Sequence, residues 1–308
     1  MARRLLAATC SRLPPPPPPP LVSALLCWVA RMMCTPARAA GALSARYMHR
    51  FRVVSSHLMH RQQQPSVAAA ARAFALAAAS KPPQRVGIVG GLGLGAGIHY
   101  YKELAAARAD VPLELAMVHC QLDLVLDYVD AGDKSGLVLY LESVLEDLKA
   151  AGATFAAIPA VTPHYCIDML QDVSPLPLVD MLAVIKEEVA ARKYLKVALF
   201  GTAAVQLSAC YGRLHGVTDV VTPPPDEVAL IGDLYTEIAR SVGATEEQRQ
   251  EQRVALAQQA EVLISRDGVD AILLAGTDLS AVFTAEHPPP FPYLDCAALH
   301  IAAIAKRL

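Results

Sequence analysis

Ala157-Ile158-Pro159-Ala160-Val161-Thr162-Pro163-His164 and Ile272-Leu273-Leu274-Ala275-Gly276-Thr277-Asp278-Leu279 are the two stretches on which the reading of this chain turns. Each is a short apolar run, as expected of a strand buried on both faces. Each then breaks into a residue suited to start a helix. Thr162 offers a side-chain oxygen to an orphan amide, and Pro163 fits the first helical position, where no N–H is needed. Thr277-Asp278 sets an acid beside the positive end of the following helix. Working outward, Val86-Gly87-Ile88-Val89-Gly90-Gly91 and Val197-Ala198-Leu199-Phe200-Gly201-Thr202 open two similar segments, offset by about 111 residues at their starts and 115–116 near their ends. The spacing suggests an internal duplication.

Between these points, short β-rich runs alternate with longer amphipathic stretches, the pattern of βαβ units and a parallel sheet. Strands are expected over 85–90, 113–119, 155–160, 196–201, 218–222 and 270–275. Helices are expected over 96–108, 136–151, 227–242, 246–266 and 296–306. The fold class is therefore α/β: two similar Rossmann-like parallel-sheet halves, residues 85–195 and 196–308, with a cleft between them. The C-terminal helix is expected to return to the first half. Open parallel sheets bind ligands beyond the carboxyl ends of their strands.

Residues 1–81 read differently. They hold ten Arg and Lys81 but no acidic residue, and include the run Pro14 to Pro20. This is the composition of an organelle transit peptide, for plastid or mitochondrion, or of a disordered extension. A secretory signal, an anchor or an over-long start remain open, although the apolar run Leu21 to Ala30 falls well short of the ~20 residues that cross a bilayer. The rest of the chain carries 16 basic against 29 acidic residues. That acidic body lacks the basic stripe a nucleic-acid partner requires. Cys120, Cys166, Cys210 and Cys296 show no paired spacing, so neither zinc nor a disulfide framework is expected.

The segment Gly90-Gly91-Leu92-Gly93-Leu94-Gly95-Ala96-Gly97 follows a strand and opens a helix, which satisfies a minimal dinucleotide fingerprint. The fingerprint also needs an acid at the end of the second strand, where His119, Cys120 and Gln121 stand instead. A nicotinamide enzyme is kept as an alternative, and no cofactor is expected.

Taken together, the glycine loop followed by Tyr100-Tyr101, the two threonine junctions and the Pro292 to His300 segment resemble the aspartate/glutamate racemase superfamily over about residues 85–308. In that family the first junction typically reads Pro-Cys-Asn-Thr and the second Gly-Cys-Thr-Glu, with one catalytic cysteine in each. This chain has Ala160 and Gly276 at those places. The resemblance implies amino-acid racemisation on a small amino acid or dicarboxylate, without cofactor. It also implies substrate contacts by Gly91, Thr162, Thr202 and Thr277.

A cofactor-free racemase needs two groups that exchange protons on opposite faces of one carbon. Neither alanine nor glycine can do so. His164 and Asp278 are the remaining candidates for acid–base work, as in a divergent isomerase or lyase; a silent carboxylate-binding protein is the other reading. A homodimer is left open, and no membrane partner is expected.

Overall fold

A computed structural model of the chain describes residues 84–308, apart from 110, 111 and 242. The segment 1–81, expected to be a transit peptide, lies outside the described residues. The first sheet is built from β1 (Val86–Gly90), β2 (Leu115–His119), β3 (Phe155–Ala157) and β4 (Leu178–Val179). Its helices are α1 (Leu94–Ala107), α2 (Leu122–Asp130), α3 (Lys134–Ala150), α4 (Ile167–Val173) and α5 (Met181–Arg192), with a 3-10 turn at Thr162–Cys166. The second sheet comprises β5 (Lys196–Phe200), β6 (Asp219–Val221), β7 (Ala271–Leu274) and β8 (Tyr293–Asp295). It is served by α6 (Ala203–Leu207), α7 (Pro225–Arg240), α8 (Glu246–Asp267), α9 (Leu279–Val282) and α10 (Cys296–Ala305).

All strand pairs are parallel, and the two orders are equivalent, β2-β1-β3-β4 and β6-β5-β7-β8. Alternation along the strands sorts side chains between three cores. Val86 and Ile88 of β1 share one core with Val197 and Leu199 of β5, so this core joins the two sheets. Val89 instead meets Leu141, Leu145 and Leu148 of α3. Ala198 and Phe200 meet Ile231 of α7 and Leu263 of α8. Helix α10 follows β8 in the second sheet but packs on α5 and α1 of the first half.

Most boundaries fall within one or two residues of the sequence expectation, and two of the shifts have clear local reasons. Strand β3 stops at Ala157 rather than 160, because Pro159 has no N–H to donate to a ladder. Helix α7 begins at Pro225, with Asp226 and Glu227 in its first turn. Elements α2, α5, β4 and β8 were not expected, while the helix expected from Thr162 opens as a 3-10 turn that continues into α4. The two strands are only two and three residues long, and α5 shows no clear apolar periodicity. No helix among the described residues is long and apolar enough to cross a membrane.

Candidate functional site

The connections that leave β1, β2, β3, β5 and β6 converge on one small cavity at the carboxyl ends of both sheets. The glycine loop after β1 supplies Leu92, and α2 supplies Leu122, Val125 and Leu126. The junction after β3 supplies Ala160, Thr162 and Pro163; Thr202 comes from the start of α6. Helix α7 adds Tyr235, Thr236, Ala239 and Arg240. The cavity measures about 40 Å³, room for one or two water molecules. At its mouth Arg240 reaches Asp123 of α2 at 3.4 Å, with both side chains largely exposed.

The two threonine junctions do face each other. The Thr277 hydroxyl donates to the Pro159 carbonyl at 2.9 Å, a bond between the halves that is fully buried. Thr277 is thereby committed to holding the junctions together. Thr162 and Thr202 line the cavity instead. The Thr202 oxygen accepts from the Val205 amide at 3.4 Å and keeps its own proton free to donate.

Asp278 is sealed away from this cavity. One carboxylate oxygen accepts the Ala96 amide at 2.8 Å, and the other accepts the Tyr235 hydroxyl at 3.4 Å. Burial pushes its pKa up to about 6, with the Ala96 and Tyr235 bonds partly opposing. The glycine loop is shaped around this group: a Cβ on Gly93, which sits at φ 141, would lie 2.2 Å from Asp278 Oδ2. The anion held by the glycine-rich loop is thus the protein's own Asp278. Gly91 (φ 85) faces the Cys120 carbonyl and the His119 ring rather than the cavity.

His164 is also turned inward, at 1% exposure. Its Nδ1 lies 2.7 Å from the Ala160 carbonyl, and its Nε2 accepts the Met181 amide at 3.3 Å. This pattern fixes the neutral tautomer with the proton on Nδ1. Burial lowers its pKa, with Asp180 partly opposing. Behind it, His300 pairs with Tyr100 at 3.0 Å and with the Val179 carbonyl at 2.9 Å. Burial, reinforced by His164, pulls His300 down to about 3. Of the six residues singled out from sequence, Thr162 and Thr202 meet in the cavity; Gly91, His164, Thr277 and Asp278 do not.

The tertiary structure also fills the space beside Gly276, where the resemblance leads one to expect the second thiol. A Cβ on Gly276 would lie 2.2 Å from Cε2 of Tyr235 and 2.5 Å from its Cδ2. The tyrosine ring from α7 therefore occupies the space that a side chain at 276 would need. Nothing in the local sequence links residues 235 and 276; an aromatic on the buried face of α7 was the only available signal. Arg240 was missed for a similar reason, as it lies on a polar helix end. Tyr211 is a further unanticipated neighbour. Ala209, Cys210 and Tyr211 hold φ values of 51, 54 and 57, a left-handed run costing about 1–2 kcal/mol per residue. It brings the buried Tyr211 hydroxyl towards Thr162 without closing a well-formed hydrogen bond.

Chemically, the cavity offers hydroxyl donors from Thr162 and Thr202 and a guanidinium at the mouth, but no thiol. Among the described residues the cysteines Cys120, Cys166, Cys210 and Cys296 do not line the cavity and are buried. Burial pushes Cys120 and Cys166 up to about 11 and Cys210 up to about 12, and raises Cys296 strongly. None is poised as a thiolate at neutral pH. Among the described residues no group of three or more His, Cys, Asp or Glu converges as a metal site.

Comparison with known proteins agrees with this architecture. No curated protein sequence matches significantly. A Yersinia pestis protein classed with the Asp/Glu racemases superposes with a TM-score of 0.60 at 19% identity, covering 73% of this chain and 99% of the other. An aspartate racemase homologue from Pyrococcus horikoshii OT3 gives 0.58 at 20% identity, covering 73% and 99%. The aspartate racemase of Picrophilus torridus gives 0.56 at 19% identity, covering 73% and 94%. At such identities these structures establish the fold. The sequence model of the Asp/Glu/hydantoin racemases matches residues 89–304. This chain belongs to the Asp/Glu/hydantoin racemase family.

Proposed function

We propose that the chain binds a small carboxylate in this cleft and does not perform two-thiol racemisation. The observation that carries the reading is the Tyr235 ring lodged over Gly276, opposite a junction whose own reacting position is Ala160. Loss of one general acid or base typically costs about 10²–10⁴ in rate, and both are lost here. The hydroxyls of Thr162 and Thr202 and the Arg240 guanidinium support carboxylate binding. Aspartate and glutamate, the amino acids in the family's name, are the compounds on which the absence of racemisation is tested.

A divergent isomerase or lyase using His164 and Asp278 has less support, because both ring nitrogens and both carboxylate oxygens already have protein partners. A nicotinamide enzyme has less still, since Asp278 takes the Ala96 amide and the space beside Gly93. The test is α-proton exchange by NMR on L- and D-aspartate and glutamate in D₂O, run beside thermal shifts with a carboxylate panel. The expected result is stabilisation without exchange. Exchange that disappears in His164→Gln or Asp278→Asn overturns the proposal. The acid-free, Arg-rich segment 1–81 supports import into a plastid or mitochondrion. A reporter fused to it that stays in the cytosol would exclude that reading.

A further inference from the structure

We infer that the ligand is a monocarboxylate with an apolar substituent, and neither a dicarboxylate nor a zwitterionic amino acid. This inference rests on the proposal that the cleft binds a carboxylate, and it narrows the class.

The argument is a census of the side chains that line the cavity. Tyr235 directs its hydroxyl at Asp278, and Thr236 donates its proton to the Gly232 carbonyl at 2.8 Å. That leaves Thr162, Thr202 and Arg240 as side-chain donors. Two hydroxyls and one guanidinium match the lone pairs of one carboxylate. A second carboxylate would enter with no side-chain donors left, and an unpaired buried charge is strongly disfavoured. An α-ammonium would fare no better, because no acidic side chain lines the cavity. Asp278 is sealed behind Tyr235 and the glycine loop, and Asp123 stands outside, paired with Arg240.

The rest of the lining points the same way. Leu92, Leu122, Val125 and Leu126 form an apolar wall, extended by Pro163 and Ala239. Such a wall favours alkyl or aryl groups through the area it removes from water. In the present conformation the cavity is too small for such a group. Entry therefore has to open the mouth. The Arg240–Asp123 pair there is solvent-exposed and weakly held, so it presents little barrier.

The test uses two compounds that differ in one group. In 4-methylpentanoate an isopropyl group replaces one carboxylate of succinate, with the rest of the molecule unchanged. Binding of each to the full-length protein is measured by calorimetry at pH 7.5, with L-aspartate as a third ligand. The expected result is at least tenfold tighter binding of 4-methylpentanoate than of succinate or aspartate. Arg240→Met is expected to weaken its binding at least tenfold, and Leu126→Lys to shift the preference towards succinate. Equal or tighter binding of succinate or aspartate overturns this inference while leaving the carboxylate reading intact. If none of the three binds protein that is folded by circular dichroism, the carboxylate reading fails, and the inference with it.

Discussion

Substituting alanine for Gly276 adds one methyl group at the point where the two halves of the site are most tightly fitted. The new Cβ would lie 2.2 Å from Tyr235 Cε2. Ordinary van der Waals contact begins near 3.4 Å, so the ring must retreat by about 1.2 Å. It has little freedom to do so, being 8% exposed and hydrogen-bonded to Asp278. Overpacking of this kind costs about 1–3 kcal/mol. Breaking the bond to a charged acceptor costs about 1.5–3 kcal/mol more. Gly276 does not have a positive φ, so alanine should recover about 0.4–1 kcal/mol through the unfolded state. The net expectation is a loss of about 1.5–5.5 kcal/mol, or a Tm lower by roughly 3–20 °C for a domain of this size. Urea unfolding at pH 7.5, followed by circular dichroism, measures it. The decisive control is Tyr235→Ala: with the ring gone, the penalty at 276 should vanish, giving a coupling of about 2.5–6 kcal/mol in the double-mutant cycle. If Gly276→Ala is neutral beside an intact Tyr235, or equally costly without it, the fit of ring over glycine is refuted.

Three further outcomes follow from the same geometry. Asp278 titrates at about 6 rather than 3.8 because it is buried, so the folded state holds its proton across a window in which the unfolded chain has released it. Stability from this group is therefore lost as pH rises from about 4 to 6, by roughly 3 kcal/mol. Asp278→Asn should be more stable than the parent by up to that amount at pH 7.5, with the gap closing below pH 4; a less stable variant at pH 7.5 would count against it. His300 has the opposite sign: its pKa is depressed from 6.5 to about 3, so stability is lost as pH falls below 6.5. Its imidazole NMR resonances should not titrate between pH 7.5 and 5, and a midpoint above 5 would contradict the bonding to Tyr100 and Val179. Finally, Ala160→Cys with Gly276→Cys should stay inert towards amino-acid proton exchange until Tyr235→Ala is added to clear the second thiol's space. Exchange in the double-cysteine protein with Tyr235 intact would show that the ring does not block that face.

Much of the architecture was legible because it depends on local patterns. β1, β5 and β7 announce themselves as apolar runs, and the glycine loop and the threonine junctions mark the strand ends. Helix α8 begins with a capping box at Thr245 and Gln248 and ends at Gly268, in a left-handed conformation suited to glycine. The short strands β4 and β8 were not legible, because two or three residues carry no usable periodicity. The site was only half legible. Thr162 and Thr202 lie where strand ends place them, and Thr277 lies at its junction but spends its hydroxyl on Pro159. For His164 and Asp278 the sequence gives chemical identity without direction, and both turned inward to satisfy buried backbone amides and carbonyls.

By itself, the sequence determined the two-sheet frame, the position of the cleft at the strand ends, and the absence of thiols at 160 and 276. These follow from period-two burial, turn chemistry and residue identity, all of which act over a few neighbouring positions. Only the tertiary structure decided what occupies the space beside Gly276 and inside the glycine loop. Tyr235, 41 residues before Gly276 in the chain, covers it because α7 packs against β5 and against α9, the helix that follows Gly276. Asp278 fills the glycine loop because α9 starts beside α1. Those are packing contacts between distant segments, and no short-range pattern encodes them.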